Sequence, residues 1–220
     1  MKKAKQSLRS ITFTSGRIRN LSSEYEKVNT RGSVRFCQEI HVTELPTHGY
    51  SSFNYHVIAD RLSSTGVCNI KNNCGIGKLT SAGTMRLTKV RIKEVNSTGQ
   101  LTIQHSLQAD QINILGKVTA KKINTKAFHL ILSGKSQIEQ LHANTIEVHS
   151  EKKTLSLQKK QLICGKITGN NINLSHTSAK NVEGDVVTIG EKCVIEKLTF
   201  KESYTISRHS TVKQIMKRSD

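Results

Sequence analysis

Aromatic residues are scarce, at 4% of the 220-residue chain, and tryptophan is absent. A core built on large rings is therefore excluded, and Ile, Leu and Val with small residues must supply the burial. Proline occurs once, at Pro46. Acidic residues number 16 against 34 Lys and Arg, a formal net charge of +18. So few carboxylates argue against the paired-acid chemistry of β-helical polysaccharide enzymes. The cationic surplus favours anionic partners, either nucleic acid or an anionic membrane surface. No apolar run approaches the roughly 18 residues that span a bilayer. Met1-Lys2-Lys3 makes a basic start, but the apolar segment of a signal peptide does not follow. The cysteines are Cys37, Cys68, Cys74, Cys164 and Cys193, with no CxxC. An odd, scattered set is expected to be reduced thiols in a cytoplasmic chain. The Asn-x-Ser/Thr triplets at Asn20, Asn96 and Asn173 are then chance matches.

A regular period is present instead. Gly16, Gly32, Gly49, Gly66, Gly83, Gly99, Gly116 and Gly134 are spaced by 16, 17, 17, 17, 16, 17 and 18 residues. The apolar residues share the period. Four positions after the glycines from Gly32 onward stand Phe36, Phe53, Ile70, Leu87, Ile103, Ala120 and Ile138. A second column holds Leu45, Leu62, Leu79, Val95, Ile112, Phe128 and Ile146. Within each repeat apolar and polar residues alternate, as in Met85-Arg86-Leu87, Val90-Arg91-Ile92 and Ile112-Asn113-Ile114. Alternation by two means short, half-buried strands, and no helical stripe competes with it.

Equal repeats with columns of like residues imply coiling, each strand pairing with its equivalent one turn later. The expected fold is all-β, a right-handed parallel β-helix of about 12–13 coils with roughly 17 residues per coil. Beyond Gly134 the bend is expected to pass to Ser150, Gly165 and Gly184, with Leu155, Leu157, Leu162 and Ile163 filling one turn. One β-helix domain is expected over residues 8–216, with short tails at 1–7 and 217–220.

Several chemical motifs fail on inspection. Cys74-Gly75-Ile76-Gly77-Lys78-Leu79 has the cadence of a phosphate loop, but Asn72 replaces its first glycine and Leu79 its Ser or Thr. Val187-Thr188-Ile189-Gly190-Glu191-Lys192 is similar to the hexapeptide of left-handed acyltransferase helices, whose turns hold a steadier period. The nine histidines show no compact ligand spacing, and Glu139 and Glu147 are the closest carboxylates expected on one coil. No catalytic, cofactor-binding or metal-binding residue is assigned, and no enzymatic activity is expected. Outward cations at Arg86, Lys89, Arg91 and Lys93 form a candidate anion-binding surface. Lys121-Lys122, Lys152-Lys153 and Lys159-Lys160 add basic pairs.

The run from Leu130 through Gly134 and Ile138 to Ala143-Asn144-Thr145-Ile146-Glu147-Val148 resembles the bactofilins. So do Ala109-Asp110-Gln111-Ile112-Asn113-Ile114-Leu115-Gly116 and Ala179-Lys180-Asn181-Val182-Glu183-Gly184-Asp185-Val186, the latter as in long Gram-positive variants. The resemblance is best from about Leu101 to Ile215. It implies a right-handed β-helix that assembles end to end, without nucleotide, into cytoskeletal filaments in the cytoplasm. Self-association would use Leu8, Ile11 and Phe13 at one end and Phe200, Tyr204, Ile206, Val212 and Ile215 at the other. This chain departs from the usual bactofilin pattern in its near-complete coiling and its high charge. Any contact with the inner face of the membrane would then be electrostatic. The alternative is a monomeric basic β-helix that binds nucleic acid or anionic membrane.

Overall fold

The computed structural model describes residues 8–150 and 159–218. Among them every regular element is a strand, and ten strands form one sheet in chain order. They are β1 (Ser10–Ile18), β2 (Lys27–Phe36), β3 (Ile40–Phe53), β4 (Val57–Ile70) and β5 (Cys74–Leu132). They continue as β6 (Lys135–Ser150), β7 (Gln161–Leu174), β8 (Thr177–Ile189), β9 (Val194–Ile206) and β10 (Thr211–Lys217). Each pairs in parallel with the next, so the chain is a β-solenoid. The last strand runs through Lys217, and the Arg218 amide donates to the Phe200 carbonyl at 2.7 Å. The coil thus reaches two residues past the expected boundary at 216. Residues 1–7 and 219–220 of the tails lie outside the described residues.

The register follows the period in the sequence. Ile11 pairs with Val28, and Leu45 with Leu62 and then Leu79. The same line resumes as Phe128, Ile146, Ile172, Val187 and Tyr204. Val95 and Ile112 occupy the two places between them, and both are fully buried. That line passes through about twelve turns. Each turn has three short stretches that point two side chains inward, as in Val57 and Ala59, Leu62 and Ser64, Cys68 and Ile70. Stacking places like on like about 4.8 Å apart. Phe36 lies flat on Phe53, with ring centroids 4.9 Å apart and planes within 2°.

Seven of the periodic glycines, from Gly16 to Gly116, have φ between 77° and 155°. Few L side chains adopt that region. The corner is also crowded, because a Cβ on Gly49 would stand 2.5 Å from the Gly32 carbonyl oxygen. Backbone stacks on backbone here, which lets β5 run 59 residues through its corners without losing its pairing.

The expected bend beyond Gly134 is corrected. Lys135 pairs with Gln161, and Ile138 with Cys164, so this coil spans 26 residues, the separation that His142 and Thr168 also show. Counting on at the old period therefore loses the register. Ser150 pairs with Leu132, and Leu132 lies opposite Gly116, since the Ser133 amide donates to the Gly116 carbonyl at 3.1 Å; Ser150 therefore does stand in the glycine column. Gly165 follows Cys164 on the wall, and Gly184 pairs with Gly169. The left-handed corner residues are instead His176 and Lys192, at φ 53° and 57°. Leu162 stacks on Ser136, and Leu155 and Leu157 lie outside the described residues.

One inward column begins with hydroxyls. Thr30, Thr47, Ser64, Ser81 and Ser97 are all buried, whereas Ile114, Leu130, Val148 and Leu174 continue at the same phase. Burial without a partner is costly, so such hydroxyls are bonded, Ser81 to Ser97 one coil on, Thr30 to Ser51 of a neighbouring column and Thr47 to the Ser63 carbonyl. The Thr30 and Ser51 hydroxyls are 2.7 Å apart, and those of Ser81 and Ser97 are 2.8 Å apart.

Candidate functional site

A sealed core and a polar wall leave the two end coils chemically unlike the rest. Leu8, Ile11 and Phe13 are half-buried in the first coil. Ile11 rests on Val28, and the Phe13 ring meets Phe36 edge-on at 5.8 Å. At the other end Tyr204 stacks on Val187, Ile206 on Ile189, Val212 on Ile195 and Ile215 on Leu198. Phe200, Ile206 and Val212 are half-buried, while Tyr204 and Ile215 are 43% and 41% exposed. The Phe200 and Tyr204 rings lie 4.6 Å apart. Ile11, Phe13, Tyr204, Ile206, Val212 and Ile215 therefore sit on end coils with a neighbour on one side, whereas Phe200 lies one coil in, between Gly184 and Lys217. Sequence reasoning missed Met216 and Val194, which are 48% and 46% exposed. Their only signal is a break in apolar-in, polar-out alternation.

Arg86, Lys89, Arg91 and Lys93 are exposed, but along one coil rather than across coils. Arg86 projects between Met85 and Leu87, and Arg91 between Val90 and Ile92, on successive stretches of the same turn. The four cations thus girdle the rod and do not stack into one groove. On one ladder of the wall cations are kept apart: Lys122, Gln140, Lys166, Asn181, Lys197 and Gln214 pair in that order, whereas Arg61 faces Lys78 directly on another. An amide between each two lysines avoids like charges directly opposite, which destabilise a sheet.

Many of the acids sit across a coil from a cation. Glu44 lies 2.9 Å from Lys27 and also pairs with Arg61, and Lys78 lies 2.9 Å from Glu94. Hydrogen bonds from Lys27 and Arg61 hold the Glu44 carboxyl below its ordinary range. Lys126 does the same to Asp110 at 2.8 Å. Exposed pairs of this kind add little stability, and their role is to balance charge locally. Lys152 and Lys153 lie outside the described residues.

Glu139 and Glu147 do not form a pair. Glu139 lines a shallow groove with Lys180, Glu196 and Lys213. Glu147 pairs across the coils with His129, and His149 stands two residues further along the same strand. One potential ligand atom from each of these three lies within 4.8 Å of the others. The sequence reading found no compact histidine pattern because this one is closed by the coil, not by local spacing.

Burial pushes the thiols of Cys68, Cys74 and Cys164 up to about 12, and raises that of Cys193. Cys37 is half-exposed. In the native protein a thiol reagent is expected to modify Cys37 first and the other four only on unfolding. Equal rates for all five would contradict the packing. The same shifts set a pH dependence. Below the ordinary thiol value of 9.0 both folded and unfolded chains keep these protons. Above it the unfolded chain releases them while the folded chain holds them to about 12, so stability falls as pH rises through that window. Urea midpoints measured from pH 8 upward should decline accordingly.

Among the described residues no helix is long and apolar enough to cross a membrane. No family model matches the chain, and neither a curated protein nor a solved structure matches it.

Proposed function

We propose that the chain is a bactofilin-like structural scaffold, without enzymatic activity, that stacks end to end into filaments. The observation that carries this reading is the pair of end coils. Each continues the inward columns of the core to a last, half-buried layer and leaves a strand edge without a neighbouring coil among the described residues. An open edge is a template for another strand. Four of the large exposed apolar residues, Val194, Tyr204, Ile215 and Met216, fall in the last two coils. A second copy, seated with its first coil on this last one, would cover Tyr204, Ile215 and Met216 and extend the ladder, whereas Val194 already has Thr211 on the coil beyond it. Such a head-to-tail contact does not close on itself, so it grows a filament.

The charge decides the conditions. Arg17 and Arg19 belong to the first coil and Lys213 and Lys217 to the last, so facing ends repel. The screening length falls from about 30 Å at 0.01 M salt to about 8 Å at 0.15 M, so the repulsion weakens. Filaments should therefore lengthen as salt rises. The surplus of cations supports the alternative, a monomer that binds nucleic acid or anionic membrane, and there salt acts in the opposite sense. Negative-stain electron microscopy from low to physiological and higher salt tests the choice, with a DNA gel shift in the same buffers. Filaments that grow with salt support the scaffold. Particles that stay single at every salt, with DNA retention that collapses as salt rises, would overturn it.

A further inference from the structure

We infer that His129, Glu147 and His149 form a binding site for one divalent transition-metal ion on the wall of the rod. The site follows from the ladder. His129 pairs with Glu147, and Ile131 with His149, so four outward positions on two coils make a rectangle. Its sides are set by the coil rise and by the two-residue step of a strand, about 4.8 Å and about 6.6 Å. Three of its corners carry metal-ligating side chains. The two imidazole centroids are 6.1 Å apart, with planes inclined at 65°. Each residue presents one donor atom within 4.8 Å of the other two. Bonds of about 2.0–2.2 Å to a tetrahedral ion ask the donors to close to about 3.4 Å, a side-chain rotation rather than a backbone move. Glu147 is exposed and free to swing inward, while the half-buried imidazoles are held by the wall.

The donor set selects the ion. Two imidazoles and one carboxylate suit Zn²⁺, Ni²⁺ or Cu²⁺, whereas Ca²⁺ and Mg²⁺ require oxygen ligands. The chain's net charge of +18 opposes any cation, so the Glu147 carboxylate is needed to offset charge at the ion. The next residue on the ladder beyond Glu147 is Asn173, which is neutral. Three protein ligands leave the outward position to water or to a group from another molecule. The inference is independent of filament formation.

Isothermal titration of the full, chelator-treated chain with Zn²⁺ is the test, with Co²⁺ absorption as a readout of coordination. One ion per chain is expected, with a rise in melting temperature that Ca²⁺ and Mg²⁺ do not produce. His129→Ala and His149→Ala should each weaken binding by about tenfold or more, and Glu147→Gln similarly. The three residues face outward, so the metal-free variants should melt with the wild type. Zn²⁺ uptake that is absent in the wild type would overturn the site. So would uptake unchanged in the His129→Ala and His149→Ala double variant, which would place the ion elsewhere.

Discussion

Replacing Gly99 by valine is expected to destabilise the rod by about 4 kcal/mol, combining strain at a forbidden φ with overpacking. Gly99 has φ 127°, a value that a β-branched residue does not tolerate. Its new Cβ would fall on the carbonyl oxygen of Gly83, inside any contact distance. The obstacle is backbone, which cannot rotate away as a side chain can. Damage should spread, because each coil is stabilised chiefly by its two neighbours. Coils on either side of the corner would separate in stability, so the urea transition should broaden as well as shift. Ala82→Thr is the control. Ala82 is exposed on the neighbouring coil, and threonine there should leave the midpoint within about 0.5 kcal/mol. A Gly99→Val protein that unfolds with the wild type would show that the corner is not as tight as described.

Val212→Asp combined with Ile215→Asp is expected to abolish end-to-end assembly while sparing the fold. Both side chains rest on the preceding coil, on Ile195 and Leu198, and nothing covers their outer side among the described residues. Ile215 is already 41% exposed, so the carboxylate can remain in water in the single rod. In a filament it would be buried against the first coil of the next copy, facing Ile11, Phe13 or their neighbours. A buried, unpaired carboxylate costs several kcal/mol, enough to remove a contact that repeats once per subunit. In a head-to-tail filament the variant still offers a normal first coil. Added in small amounts to wild-type protein, it should cap growing ends and shorten the filaments. Filament length by electron microscopy, alongside melting temperature, reads both effects. Unchanged filaments from the double variant would remove the end coils from the assembly.

The legible part of the fold was the part in which coil length is constant. Leu45, Leu62, Leu79, Val95, Ile112, Phe128 and Ile146 form one buried line because each coil returns after nearly the same number of residues. The 26-residue coil ended that legibility. Past it, Gly165 and Gly184 kept a plausible spacing but stand on the wall, and His176 and Lys192 turn the corner instead. No local pattern marks a non-glycine residue that will be held left-handed by its neighbours. The hydroxyl column was hidden for a different reason. Alternation assigns polar residues to the outside, yet Ser81 and Ser97 are buried because each satisfies the other across a coil.

The candidate sites divide in the same way. The end residues were legible because position in a linear stack is position in the chain. The cations Arg86, Lys89, Arg91 and Lys93 were legible as outward, but their distribution around one coil was not. The His129, Glu147 and His149 cluster was invisible, because its members converge only when His129 and Glu147 are set side by side.

By itself the sequence determined that this chain coils. A glycine and two aliphatic columns on one period admit no helix and no compact globule, since only stacking buries them together. What the tertiary structure decided is the register. Which residues face one another across a coil depends on the length of every turn between them. One long turn re-aligns all that follows, including the corners at His176 and Lys192, while the hydroxyl pairs and the histidine cluster close across earlier coils, where the register alone sets them face to face.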